Sequence, residues 1–134
     1  MNEEEMETAR AFVACSRWVW LPGMRAVGRK GYPAAWFRVE EPLQKLGGVW
    51  RGAVPDLTDP ATLGCILQVA RDAHGVPWLT PVPLYHALGC YGWRLPIRID
   101  GAPMHRTTRR TPVYKSEAEA LLQVLQAAPE APND

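Results

Sequence analysis

The chain has 134 residues, 47% apolar and 22% charged, with a net charge of +1, which fits one globular domain with a real core and excludes a largely disordered one. No apolar run approaches the roughly 20 residues of a membrane helix, and Glu3, Glu4, Glu5 and Glu7 stand where a signal peptide would be basic, so the expected location is the cytoplasm. Cys15, Cys65 and Cys90 are odd in number and lack framework spacing, and so read as reduced thiols with no disulfide.

Glu3 to about Arg17 reads as a helix, with Met6, Ala9, Phe12, Val13 and Ser16 at three-to-four spacing and acids in the opening turn. Short strands are expected at Trp18 to Leu21, Met24 to Val27 and Ala35 to Val39, separated by turns at Pro22-Gly23 and Gly28-Arg29-Lys30-Gly31. Gly47-Gly48 introduces another strand from Val49 to Val54. Asp59 then caps a helix that begins at Pro60, buries Leu63, Ile66, Leu67, Ala70 and Ala73, and stops at Gly75. In Val76 to Gly92, Pro77, Pro81 and Pro83 argue against a central strand and favour an ordered connection with a helical turn near Leu84 to Leu88.

Trp93, Leu95, Ile97 and Ile99 alternate with Arg94, Pro96 and Arg98 as a half-buried strand does. After a polar loop, Thr111 to Tyr114 is the last strand, and Ser116-x-x-Glu119 has the spacing of a capping box. Ala118, Leu121, Leu122 and Leu125 form the core face of the final helix. The expectation is one α+β domain over residues 1–128, a mainly antiparallel sheet of about four to six short strands packed by three helices, and a flexible tail over 129–134.

Three stretches, Trp18-Val-Trp-Leu-Pro-Gly-Met24, Val54-Pro-Asp-Leu-Thr-Asp-Pro-Ala-Thr-Leu-Gly-Cys65 and Ser116-Glu-Ala-Glu-Ala-Leu-Leu122, resemble small uncharacterised proteins of bacteriophages and prophages. The layout is similar to phage α-β-α sandwich domains. The resemblance implies a phage-type accessory protein, a class whose members often bind host or phage proteins, including defence factors. It supplies no catalytic residue.

Catalytic and metal signatures are weak. Cys65, His74, His86 and Cys90 are zinc-ligand types, but Cys65 and His74 lie on opposite sides of one expected helix. Gly28-Arg29-Lys30-Gly31 is too short for a phosphate loop, and no nucleophile is paired with a base. No cofactor and no enzymatic activity are therefore expected.

The charge is segregated: Arg17, Arg25, Arg29, Lys30 and Arg38 form an acid-free stretch, and Arg94, Arg98, Arg106, Arg109, Arg110 and Lys115 face only Asp100. The favoured reading is protein binding, with Trp78 and Tyr85 as anchors and Arg106, Arg109 and Arg110 contacting an acidic host or phage protein, in the manner of an inhibitor. The alternative is a nucleic-acid or nucleotide binder using Arg25, Arg38, Arg94 and Arg98, with Trp36 and Trp93 as stacking platforms. No membrane partner is expected. An edge strand and apolar surface leave a homodimer open.

Overall fold

The computed structural model describes residues 1–28, 31–32, 34–40, 52–95 and 112–129. They form three helices and five short strands in two antiparallel sheets, an α+β fold. The strands are divided between a three-stranded and a two-stranded sheet rather than gathered into one. The chain divides into two compact units, residues 1–69 and 70–134, where the sequence suggests one domain. No helix among the described residues is long and apolar enough to cross a membrane.

In the first unit, α1 (Glu3–Ala14) is closed at its start by a reciprocal cap. The Glu5 N–H donates to Asn2 Oδ1 at 2.8 Å, and the Asn2 N–H donates to Glu5 Oε1 at 3.0 Å. The helix stops at Ala14, short of the expected Arg17, because the chain turns at Cys15 into an extended conformation. That turn brings Trp18 onto Phe12 with ring centroids 5.6 Å apart, and Trp18 meets Trp20 edge-on at 5.3 Å. Burying these rings outweighs one more helical turn.

Trp18 to Leu21 contributes only a single bridge, at Trp20, instead of a strand. The Leu21 N–H donates to Met24 Sδ at 3.4 Å, and Pro22 has no N–H to offer a ladder. The expected Pro22-Gly23 turn forms: the Met24 N–H donates to the Leu21 carbonyl, and Gly23 takes φ 99°, which a type II turn requires at that position.

The sheet of this unit has β1 (Arg25–Val27) between β2 (Trp36–Arg38) and β3 (Val54–Pro55), all antiparallel. Ala26 faces Phe37 on one side and Pro55 on the other. Pro55 is tolerated because the ladder bond falls on the next pair, where the Asp56 N–H donates to the Arg25 carbonyl at 2.8 Å. Helix α1 packs against β3.

Helix α2 (Pro60–His74) starts where the sequence places it: Asp59 Oδ2 accepts from the Thr62 N–H at 3.2 Å and from Thr62 Oγ1 at 2.7 Å. It ends in a Schellman closure, the Val76 N–H reaching the Arg71 carbonyl and the Gly75 N–H that of Asp72, with Gly75 at φ 66°.

In the second unit, β4 (Val82–His86) and β5 (Gly89–Arg94) form an antiparallel hairpin, and α3 (Glu117–Gln126) packs against β5. Ser116 Oγ caps α3 by accepting from the Glu119 N–H at 3.1 Å, and Ala118, Leu121, Leu122 and Leu125 are buried as expected. At the other end of α3, His74 Nε2 lies 2.6 Å from the Val124 carbonyl. It donates there to a helix-terminal acceptor that would otherwise lack a partner. The expected last strand survives only as a bridge between Tyr114 and Trp93; Thr111 lies outside the described residues, as do Val49 to Arg51 of the earlier strand and the tail beyond Pro129.

Candidate binding surface

The hairpin replaces the expected helical turn at Leu84 to Leu88, and the reason lies in which pairs carry hydrogen bonds. Pro83 sits opposite Trp93, whose N–H and carbonyl both point away from β4 to bond Tyr114, at 2.8 and 2.9 Å. The Pro83–Trp93 pair therefore carries no ladder bond, and the missing proline N–H costs nothing there. Gly92 permits the Tyr114 segment to come so close: a Cβ at Gly92 would lie 2.6 Å from Val113 Cγ1 and 3.2 Å from the Tyr114 carbonyl oxygen.

The chain enters the hairpin through a clamped connector. Val76 and Leu79 are buried, and Arg71 donates from Nε to the Leu79 carbonyl at 2.7 Å. Trp78, between them, is 45% exposed. Two residues, Ala87 and Leu88, join the strands, and Gly89 at φ 114° takes the backbone conformation that the return requires.

Leu88 stands at the tip with 93% of its surface exposed. Tyr85 and Tyr91, exposed by 69% and 52%, flank it. Tyr91 is the extra residue of a bulge, since Leu84 pairs with Gly92 and Tyr85 with Cys90. The bulge lays the Tyr91 ring on His86, centroids 5.1 Å apart and planes 4° from parallel. His86 Nδ1 in turn accepts from the Leu88 N–H at 2.9 Å. No Asp, Glu, Lys or Arg occurs from Val76 to Trp93. The hairpin thus exposes several uncharged apolar and aromatic side chains to water, of the kind that carry interaction sites.

The two expected anchors, Trp78 and Tyr85, are both exposed on this unit. Arg106, Arg109 and Arg110 lie outside the described residues. Leu88 belongs to the apolar run Trp78, Leu79, Leu84, Tyr85 and Leu88 that marks this connection as a surface in the sequence, whereas sequence reasoning missed Tyr91 and His86. The signal was available in Tyr85-His86-Ala87-Leu88-Gly89, where a glycine follows two turn residues between aromatic flanks.

The residues proposed for nucleic acid are only partly assembled. Arg25 and Arg38 are directly opposed on β1 and β2, and the Arg25 guanidinium lies 4.3 Å from the centroid of the half-exposed Trp36. Both arginines already face carboxylates: Arg25 Nε is 3.5 Å from Asp56 Oδ2, and Arg38 Nη1 is bound to Asp59 Oδ2 and to the Gly23 carbonyl. Burial pushes the Asp59 carboxyl up, but hydrogen bonds from Thr62 and Arg38 and the Arg38 charge outweigh it, leaving Asp59 below the usual carboxylate range. Thr62, fully buried, joins these groups by accepting the Arg25 N–H at 2.8 Å. This is a brace for the start of α2 more than an open cationic face.

Arg94, on β5, keeps its Nε buried without a hydrogen-bond partner, and Trp93 is half-buried on the same strand. Arg98 lies outside the described residues. No group of three or more His, Cys, Asp and Glu that could hold a metal is assembled among the described residues. Each of the four zinc-ligand types has its own partner: Cys65 Sγ reaches the Pro22 carbonyl, Cys90 Sγ that of Gly92, His74 that of Val124, and His86 the Leu88 amide. Burial, and after it the Asp59 charge, also pushes the Cys65 thiol up, away from the thiolate a nucleophile or ligand needs.

Comparison with protein-family models, with curated proteins and with solved structures returns no match.

Proposed function

We propose that this chain is a small non-catalytic binding protein whose contact surface is the β4–β5 hairpin. The observation that carries the reading is Leu88, almost wholly exposed at the tip of a hairpin that also exposes Tyr85 and Tyr91. A soluble protein that displays such a cluster has a use for it, since large aromatic and aliphatic anchors supply most of the binding energy at protein interfaces. The absence of formal charge from Val76 to Trp93 suits an apolar pocket on the partner, with Arg106, Arg109 and Arg110 contacting an acidic rim.

The wider reading rests on the sequence resemblance: a phage-type accessory protein, one domain over residues 1–128, acting in the bacterial cytoplasm on a host or defence protein as an inhibitor. Nucleic-acid binding is the second reading, supported by the Arg25–Trp36 stack and weakened by the carboxylates that already face Arg25 and Arg38.

The test is affinity capture from nuclease-treated bacterial lysate with three baits: the native protein, Tyr85→Ser with Leu88→Ser, and Arg106→Ala with Arg109→Ala and Arg110→Ala. One protein retained in stoichiometric amount, lost with the hairpin variant and reduced with the arginine variant, is the expected result. Retention unchanged by the hairpin variant, or of nucleic acid alone in untreated lysate, overturns the reading.

A further inference from the structure

We infer that the hairpin tip is a pH-sensitive element, closed when His86 is neutral and opened when it gains a proton. The inference rests on the hairpin being the binding surface, and it names how that surface is regulated.

The Leu88 N–H donates to His86 Nδ1 at 2.9 Å, so the neutral ring carries its proton on Nε2 and offers Nδ1 as acceptor. Protonation places a hydrogen on Nδ1, where the Leu88 N–H already points, and turns an acceptor into a second donor. The two groups then repel, and one must leave. The ring has reason to stay, because an imidazolium stacked on Tyr91 at 5.1 Å gains cation–π attraction. The backbone at Leu88 has little to hold it: the side chain is 93% exposed, and the turn contains only Ala87 and Leu88. The turn therefore gives way, and Leu88 loses its fixed position at the tip.

Among the described residues, the groups recorded at His86 are the Tyr91 ring from β5, its ladder partner Gly89 and the Leu88 amide, with Tyr85 and Cys90 the next titratable groups along the strands. None brings a permanent charge, and the chain has no Asp, Glu, Lys or Arg from Val76 to Trp93 to compete with the ring. Histidine is the side chain whose charge ordinarily changes between about pH 5 and pH 8. The bond needs the neutral ring, whose Nδ1 accepts, and is lost when the ring is protonated. Leu88, an anchor that must be held ready for a partner, then becomes mobile in acid.

The experiment is amide hydrogen exchange and chemical shift of Leu88 by NMR on the free full-length protein, between about pH 8 and pH 5, with exchange corrected for its intrinsic pH dependence. His86→Asn keeps an acceptor for the amide two residues on without titrating, and His86→Phe keeps an aromatic ring without an acceptor. In the native protein, Leu88 protection is expected to fall roughly fivefold in acid, the scale of one hydrogen bond. It should stay constant in His86→Asn and be low at both ends in His86→Phe, while Gly92 stays protected throughout. Leu88 protection that is unchanged while the His86 ring titrates overturns the inference, as does an equal acid loss in His86→Asn. Because no partner is used, this result is independent of whether the hairpin binds one.

Discussion

The two units use the same residue types in opposite ways. Residues 1–69 put Phe12, Trp18 and Trp20 into one buried cluster and pair Arg25 and Arg38 with Asp56 and Asp59. Residues 70–129 leave Trp78, Tyr85, Leu88 and Tyr91 at the surface, on a segment without a single formal charge. An aromatic count therefore says little about function. What separates a core ring from an exposed one is whether the backbone around it curls inward, as the turn after Ala14 does, or stands out as a two-residue hairpin.

The sharpest way to break the comparison is to truncate one residue from each side. Trp20→Ala should cost about 3–5 kcal/mol, read as a lower denaturant midpoint with an unchanged slope. Leu88→Ser should leave the unfolding free energy within about 0.5 kcal/mol of the native value. If Leu88→Ser destabilises like Trp20→Ala, the tip is core and the contrast fails. Against a captured partner the order should reverse: Tyr85→Ala and Leu88→Ser should each weaken binding by about 2 kcal/mol, roughly thirtyfold, measured by calorimetry.

Smaller effects sharpen the picture on the charged side. Asp59→Ala removes the α2 cap and the Arg38 partner together and should cost about 1–2 kcal/mol in chemical denaturation. The Asp59 carboxyl lies below its usual value of 3.8 in the folded chain, so its contribution is present above that pH and is lost as the pH falls through the lowered value. Asp59→Asn should flatten this acid limb while keeping much of the cap. The smallest perturbation is chemical: Cys90, exposed, should be alkylated ahead of Cys65, whose thiol burial and Asp59 push up, as peptide mapping by mass spectrometry would show.

The helix boundaries were legible because caps are local. Asp59-Pro60, Gly75 and Ser116 each act on the next few residues, and α2 and α3 begin and end accordingly. The hairpin is hidden in the sequence because the effect of its prolines depends on the strand pairing. Pro83 is harmless only because Trp93 bonds to Tyr114, 21 positions further on, and nothing near Pro83 encodes that. The α1 end is hidden for a related reason, since the apolar spacing continues to Ser16 while the Phe12–Trp18 contact decides where the helix stops. Among the site residues, Trp78 and Tyr85 could be read from their apolar setting, whereas Tyr91 owes its position to a bulge that becomes visible only when two strands are aligned.

Gly92 has a consequence for how such a protein can diversify. Any larger residue there must displace Val113 and press on the Tyr114 carbonyl, so the base of the hairpin has almost no freedom to vary. Tyr85, Leu88 and Tyr91, by contrast, project into solvent, and altering them leaves the buried residues untouched. The exposed positions are thereby separated from foldability, and a library randomised at those three positions on an unchanged frame would vary the hairpin surface without asking the chain to solve its folding problem again.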